Sequence, residues 1–340
     1  MQQFTMMRAQ STAEAVRLGA QDEDGAMHPV RFLAGGTTLL DLMKLNVEQP
    51  QRVLDINHLP LDKIEQSADG GLKIGALVRN SDLAHHPLVM QRYPVLSQAL
   101  LSGASAQLRN KATTAGNLLQ RTRCVYFRDT AMACNKREPG SGCSAIGGFN
   151  RNLAILGTSD HCIATNPSDM NVALSALEAT IHVQGVGGAR NIPIADFYLL
   201  PGTTPQRETV LNPGDLVTHV TLAAPIAGAH STYLKLRDRA SYEFALSSAA
   251  VIIGMTHGRI SHARVALGGV GTRPWRSPEA ETVLMNATAN ADTFAQAAKA
   301  AVGNAVARSE NGFKIELVQR CLVHALHTAT STASTASRSA

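Results

Sequence analysis

Along the chain, hydrophobic positions first recur with helical spacing over 12–20, where Ala13, Val16 and Ala20 fall on one side and Ser11 or Thr12 stands as the N-cap. Pro29 ends any helix there and leads into an apolar run at 30–34 that predicts a buried strand. Gly35-Gly36-Thr37-Thr38 follows, then a helix over 39–45. The runs 52–56 and 72–76 predict strands, Ser81-Asp82-Leu83 a helix start, and 95–105 is apolar and small enough for a packed helix. The segment 170–179 predicts a helix capped by Ser168 or Asp169. Strand-like runs at 181–183 and 217–222 are separated by a loop around Pro201-Gly202. The best domain boundary is 225–230. Beyond it, 232–236, 245–255 and 264–268 read as strands, 278–307 as alanine-rich helix, and 328–340 as a Ser/Thr/Ala tail, disordered or draped on a partner. No internal repeat is seen.

At 340 residues the chain exceeds one ordinary core, which predicts two or three domains. Hydrophobic residues make up 44% and charged residues 17%, enough to bury a core without staples. The net charge of +5 is spread out with no run of five like charges, so a nucleic-acid partner has no basic patch to meet. Nowhere do about 18 apolar residues stand together, and 1–10 has no signal-peptide pattern, so a soluble chain with no membrane span and no export signal of its own is expected. Five cysteines in so long a chain are no disulfide framework. Four of them, Cys124, Cys134, Cys143 and Cys162, fall within 39 positions, and that clustering points to a metal.

The strand, glycine turn and helix order at 30–45 is anion-binding geometry, because unpaired N–H groups and the helix dipole face the turn. Taken alone, the turn reads first as a tight connection. A second turn, Thr113-Thr114-Ala115-Gly116-Asn117, offers several donors suited to a polyhydroxyl chain or a pyrophosphate, or else its threonines satisfy their own backbone. The cysteines are separated by nine, eight and eighteen residues, unlike a zinc ribbon or a ferredoxin run, so spacing alone does not name the metal. Four thiolates complete either a zinc tetrahedron or a 4Fe-4S cubane. The glycines around Cys143 favour a cluster, because they let backbone wrap close to sulfide. Arg121, Arg123, Lys136 and Arg137 are the candidates to balance its charge, and the loop, lacking hydrophobic periodicity, is expected to depend on it for order. Cys321 reads as a buried structural thiol and His85-His86 as a surface pair.

Taken together, Ala34-Gly35-Gly36-Thr37-Thr38-Leu39, the Thr113 turn and Pro167-Ser168-Asp169 make the chain resemble the FAD-binding (medium) subunit of the xanthine dehydrogenase and molybdenum hydroxylase family. Ala115 stands where many members have glycine. Leu267-Gly268-Gly269-Val270, Pro274 and Glu281 resemble that family's C-terminal domain. The insertion 121–162 resembles the periplasmic aldehyde oxidoreductases, heterotrimers whose FAD subunit carries an extra 4Fe-4S cluster. The resemblance implies an α+β fold: a p-cresol methylhydroxylase-like two-lobed FAD-binding domain over 1–224, with lobes of about 1–55 and 56–224, then a C-terminal α+β domain of the CO dehydrogenase flavoprotein type over 228–327. It implies that Phe32, Leu33, Ala34, Gly35, Gly36, Thr37, Thr38 and Leu39 hold the pyrophosphate, with further contacts from Thr113, Thr114, Gly116, Asn117 and Leu119. Asp169 reaches the ribityl side and Lys235 the flavin ring.

The implied function is electron transfer, with no catalytic residue in this chain. A large molybdenum-cofactor subunit oxidises the substrate, a small 2Fe-2S subunit relays electrons, and this chain's FAD passes them to an external acceptor. The assembly is a heterotrimer or its dimer. Localisation is periplasmic by co-export with a partner, or cytoplasmic. Two alternatives stay open, a self-sufficient FAD oxidase and a non-catalytic scaffold with structural zinc.

Overall fold

A computed structural model describes residues 1–20 and 30–336 as mixed helix and sheet built on three sheets. The first is parallel, with Arg52–Asp55 between Thr5–Arg8 and Arg31–Leu33. Helix Thr12–Gly19 begins under Ser11, whose hydroxyl accepts from the Glu14 N–H at 3.1 Å. It buries Ala15, Val16 and Gly19 and leaves Ala13 exposed, so its inner face lies beside the one the sequence pattern predicts. The strand after it is half-buried at every position, because it forms an edge of its sheet. Pro29 lies outside the described residues.

The second sheet is antiparallel, in the order Ile64–Gln66, Leu72–Gly75, Leu216–Leu222, Thr180–Gly185, Gly188–Pro193. Its last strand falls within the predicted loop. Its residues, Gly-Ala-Arg-Asn-Ile-Pro, carry one buried side chain, Ile192, so no alternation marks them. Helices Asn80–His85, Pro87–Arg92, Pro94–Ser102 and Asp169–Ala176 share a core with this sheet.

The third sheet is also antiparallel, in the order Trp275–Arg276, Arg259–Gly268, Ser247–Thr256, Ala229–Leu236. Its strand Ser247–Thr256 is buried on both sides: Ala250 and Ile252 join the core just described, while Ala249, Val251 and Ile253 face the helices Pro278–Leu284, Ala291–Ala300 and Phe313–Ala336. Burial on both faces explains its unbroken apolar run. The single helix expected over 278–307 is two, because Asn286 adopts φ 62° and Asn290 caps the second, accepting from the Thr293 N–H at 2.9 Å. The tail expected to be disordered from 328 instead continues the last helix to Ala336, with Ala329 buried; alanine is a strong helix former, and packing on the sheet supplies the rest. Residues 337–340 lie outside the described residues. Among the described residues no helix is long and apolar enough to cross a membrane.

Candidate functional site

The Gly35 turn leaves the parallel sheet at Leu33 and is held from behind. The Asn57 amide donates to the Leu33 and Ala34 carbonyls at 3.2 and 2.9 Å, while Arg79 donates to Asn57 Oδ1 at 3.1 Å and to the Lys111 carbonyl at 2.7 Å. Each glycine has its own reason. A Cβ on Gly35 would stand 2.1 Å from the Lys111 carbonyl oxygen, and Gly36 adopts φ 75°. Lys111 lies just before the second turn, so Asn57 and Arg79 lock the two turns together. Neither residue carries a sequence signal that would have singled it out.

That second turn is a short helix, Thr114–Leu118, capped by Thr113, whose Oγ1 accepts from the Gly116 N–H at 3.2 Å. Thr114 Oγ1 donates to the Val78 carbonyl at 3.2 Å. For these hydroxyls the backbone-satisfying reading therefore holds.

The two turns line one cavity of about 520 Å³. Of the predicted residues, Phe32, Ala34, Gly35, Gly36, Thr37, Thr38, Leu39, Thr113, Gly116 and Leu119 reach it, and Leu33, Thr114 and Asn117 do not. The Asn117 Oδ1 accepts from Ser168 Oγ at 2.7 Å, which ties this turn to the Pro167-Ser168-Asp169 segment. Further lining comes from residues between Tyr198 and Val217, a stretch that the sequence reading left as loop up to 216.

Asp169 does not line that cavity. It lines a neighbouring one of about 160 Å³, and the two share Thr165, Asn166 and Pro167. Its carboxylate accepts from Tyr233 Oη at 2.5 Å and pairs with Lys235 Nζ at 2.8 Å. Lys235, 3% exposed, also donates to the Ser102 carbonyl at 3.0 Å. It lines neither cavity and forms a buried ion pair across the junction between the helix Asp169–Ala176 and the third sheet. Burial, together with Asp169, holds the Tyr233 hydroxyl well above the ordinary tyrosine range. The smaller cavity is also lined by Arg123, whose Nε is buried without a hydrogen-bond partner.

The four clustered cysteines converge. Cys124 and Cys143 precede the short helices Val125–Arg128 and Ser144–Gly147, Cys134 and Cys143 pair across an antiparallel bridge, and Cys162 receives the Ala164 N–H at 3.5 Å. All four line one small enclosed cavity with Asn135, Lys136 and His161 among its walls, and none is in a disulfide. Burial pushes the Cys124 thiol up to about 11 against the peptide N–H groups of Phe127 and Tyr126. Burial likewise raises Cys162, against the opposing charge of Lys136. Among the described residues no three or more His, Cys, Asp or Glu side chains are grouped so as to hold a metal ion. The four thiols therefore share one cavity wall with Asn135, Lys136 and His161 without being grouped as ligands of a single ion.

The cations expected to balance a cluster are mostly spent on carboxylates. Arg123 pairs with Asp41 at 2.9 Å, and Arg137 donates to the carbonyls of Tyr126, Phe127 and Met132. Arg121 and Lys136 belong to a chain of ion pairs. Arg31 meets Glu48 at 3.0 Å, Arg121 meets Glu48 and Glu208 at 2.6 Å each, and Lys136 meets Glu208 at 3.0 Å. Burial works against each charge, but the partners win, so both carboxyls lie below their ordinary range and Arg121 above its own.

Nor does the cysteine loop lack packing. Phe127, Ala145, Leu153 and Ile163 form a small core with the cysteines and Leu42. Asn150 clamps the loop to the C-terminal region: its N–H donates to Glu310 at 2.9 Å, its amide donates to Ser309 Oγ at 2.9 Å, and its Oδ1 accepts from the Glu310 N–H at 3.0 Å. Polar clamps of this kind have no period in sequence. Cys321 is buried far from this site with its thiol pushed up by burial to about 12, and His85 is exposed.

Residues 2–239 match the family described as FAD binding domain in molybdopterin dehydrogenase, and residues 231–329 match the CO dehydrogenase flavoprotein C-terminal domain. The aldehyde oxidoreductase FAD-binding subunit PaoB of Escherichia coli (strain K12) is 52% identical over 328 residues, covering 96% of this chain and 98% of that one. The glyceraldehyde dehydrogenase medium chain of Sulfolobus acidocaldarius is 28% identical over 290 residues, covering 85% and 84%. Among solved structures, carbon monoxide dehydrogenase from Hydrogenophaga pseudoflava superposes with a TM-score of 0.75 at 25% identity, covering 97% of this chain and 98% of that one.

Proposed function

Because the chain belongs to the family of FAD-binding subunits of molybdopterin dehydrogenases, with a CO dehydrogenase flavoprotein C-terminal domain behind it, we propose that it is the electron-transfer subunit of a molybdenum-dependent aldehyde oxidoreductase and that Cys124, Cys134, Cys143 and Cys162 hold a 4Fe-4S cluster. The observation that carries the flavin assignment is the meeting of two turns, 34–39 and 113–116, with Asn166 and Pro167 on one cavity of about 520 Å³, within the range of cofactor sites. The Gly35 turn offers peptide N–H groups to the pyrophosphate and Gly36 lets the backbone stand close to it, while the N–H groups of 114–117 are spent within the protein and that turn serves as cavity wall. The smaller cavity adjoins the larger through the shared residues Thr165, Asn166 and Pro167, which gives the two parts of a dinucleotide adjacent space. The ring end belongs there, where the unpartnered Arg123 Nε is a ready donor. Asp169 keeps acceptor capacity for a ribityl hydroxyl, since an ionised carboxylate accepts about four hydrogen bonds and two are in use.

Bound FAD supplies the electron exchange by which such a subunit takes electrons from 2Fe-2S clusters on a small partner, after oxidation of the substrate on a large molybdenum-cofactor partner, and gives them to an external acceptor. This chain's residues bind and orient the cofactor and set the charge around it. On the same reading the assembly is a heterotrimer or its dimer in the periplasm, exported with a partner; cytoplasmic activity would revise that.

The test is analysis of the purified chain, which should carry about one non-covalent FAD, with iron and sulfide each approaching about four. Stoichiometric zinc without iron would support a structural scaffold instead. Aldehyde oxidation by the isolated chain would support a self-sufficient oxidase.

A further inference from the structure

The cysteine cavity and the larger cavity share a wall made by Lys136, Cys162 and Ala164. Lys136 is the cation on that wall, and its side chain is 10% exposed. It is fixed by Glu208 at 3.0 Å and by the Pro205 carbonyl at 2.9 Å. Glu208 is in turn fixed by Arg121, whose guanidinium lies 4.6 Å over the Phe127 ring in the core of the cysteine loop and reaches on to Glu48. The chain of ion pairs thus runs from Arg31 to Lys136 along the larger cavity, with three cations and two carboxylates, and ends at the cysteines on its positive member.

We propose that Lys136 is a tuning residue for the four-cysteine site: held by Glu208 at the shared wall, its charge stabilises the electron-rich state of the centre and raises the potential at which the centre is reduced. This rests on the 4Fe-4S reading above. Taking up one electron adds one negative charge to the centre and transfers no atom. A fixed cation at its edge favours that state, and a carboxylate beside the cation opposes it. Lys136 and Glu208 therefore act with opposite signs, which a purely structural tie would not do. Four of the ion-chain residues come from outside the immediate cysteine walls, so the ammonium is held in place independently of the cysteines themselves.

The experiment uses the whole chain, purified without oxygen, with the midpoint potential of the iron–sulfur centre read by electron paramagnetic resonance during stepwise dithionite titration with mediator dyes. Lys136→Met should move the midpoint to more negative potential and Lys136→Arg should stay near the parent. Glu208→Gln should move it to more positive potential, with iron content unchanged in all three. If Lys136→Met does not retain its iron, Glu208→Gln decides: a positive shift supports the proposal, while no shift or a negative one overturns it. Unshifted potentials in both charge-removing variants, or shifts of the same sign, also overturn it. A parent chain without iron and sulfide is a different result, because it removes the cluster reading itself.

Discussion

Replacing either member of the Asp169–Lys235 pair leaves a buried charge behind. In Asp169→Ala the ammonium of Lys235, whose side chain is 3% exposed, keeps only the Ser102 carbonyl; in Lys235→Met the carboxylate of Asp169, whose side chain is 8% exposed, keeps only the Tyr233 hydroxyl among these partners. Breaking a buried pair from one side costs about 3–5 kcal/mol, largely the desolvation of the orphaned charge. Removing both charges avoids that penalty, so the double variant should lose about 2 kcal/mol less than the sum of the single losses. Urea unfolding of the flavin-free chain, followed by circular dichroism, measures all three. Additive losses would show that the pair is not coupled. A further variant separates stability from flavin affinity. Asp169→Asn keeps the side chain's shape and loses its charge, and FAD titration should show binding weaker by about 1.5–3 kcal/mol, roughly tenfold to 150-fold. Unchanged FAD affinity in Asp169→Asn would mean that the carboxylate serves the junction alone.

Gly36→Val should yield flavin-free protein, because a branched side chain at φ 75° strains the turn by about 1–2 kcal/mol and its Cβ would crowd the Leu40 and Leu33 side chains at 3.0 and 3.1 Å, displacing the turn; full flavin retention would contradict the placement. Lys314 is fully buried, donating to the Leu153 and Gly269 carbonyls, and burial pushes its ammonium down to about 7 from an ordinary 10.5. The unfolded chain then holds that proton more tightly, so the penalty is full below about pH 7 and fades as the pH rises towards 10.5. Unfolding free energy should accordingly climb with pH across that window by up to on the order of 5 kcal/mol, a rise absent from Lys314→Met; parallel pH profiles would contradict it.

Much of the site was legible because its signals are local. The Gly35 turn between strand and helix, the Ser168 cap and the cysteine cluster each declare themselves within a few residues, since backbone preference and chemical type act at short range. The strand Ser247–Thr256 was legible for the same reason. Strand Gly188–Pro193 was not, because its edge position leaves it almost no buried side chain, and the split of the helix after Leu284 turns on one asparagine adopting positive φ.

By itself the sequence determined the family, the two turns and the four thiols, all carried by residue types and short spacings. Only the tertiary structure decided that Lys235 pairs with Asp169, that Asn57 and Arg79 lock the turns, and that Lys136 stands between two cavities at the end of a chain of ion pairs. These partners lie tens of residues apart, and a charge has no periodicity to announce its counter-charge. Which carboxylate meets which cation depends on where the packed sheets and helices bring the backbone, and burial then makes the pairing obligatory.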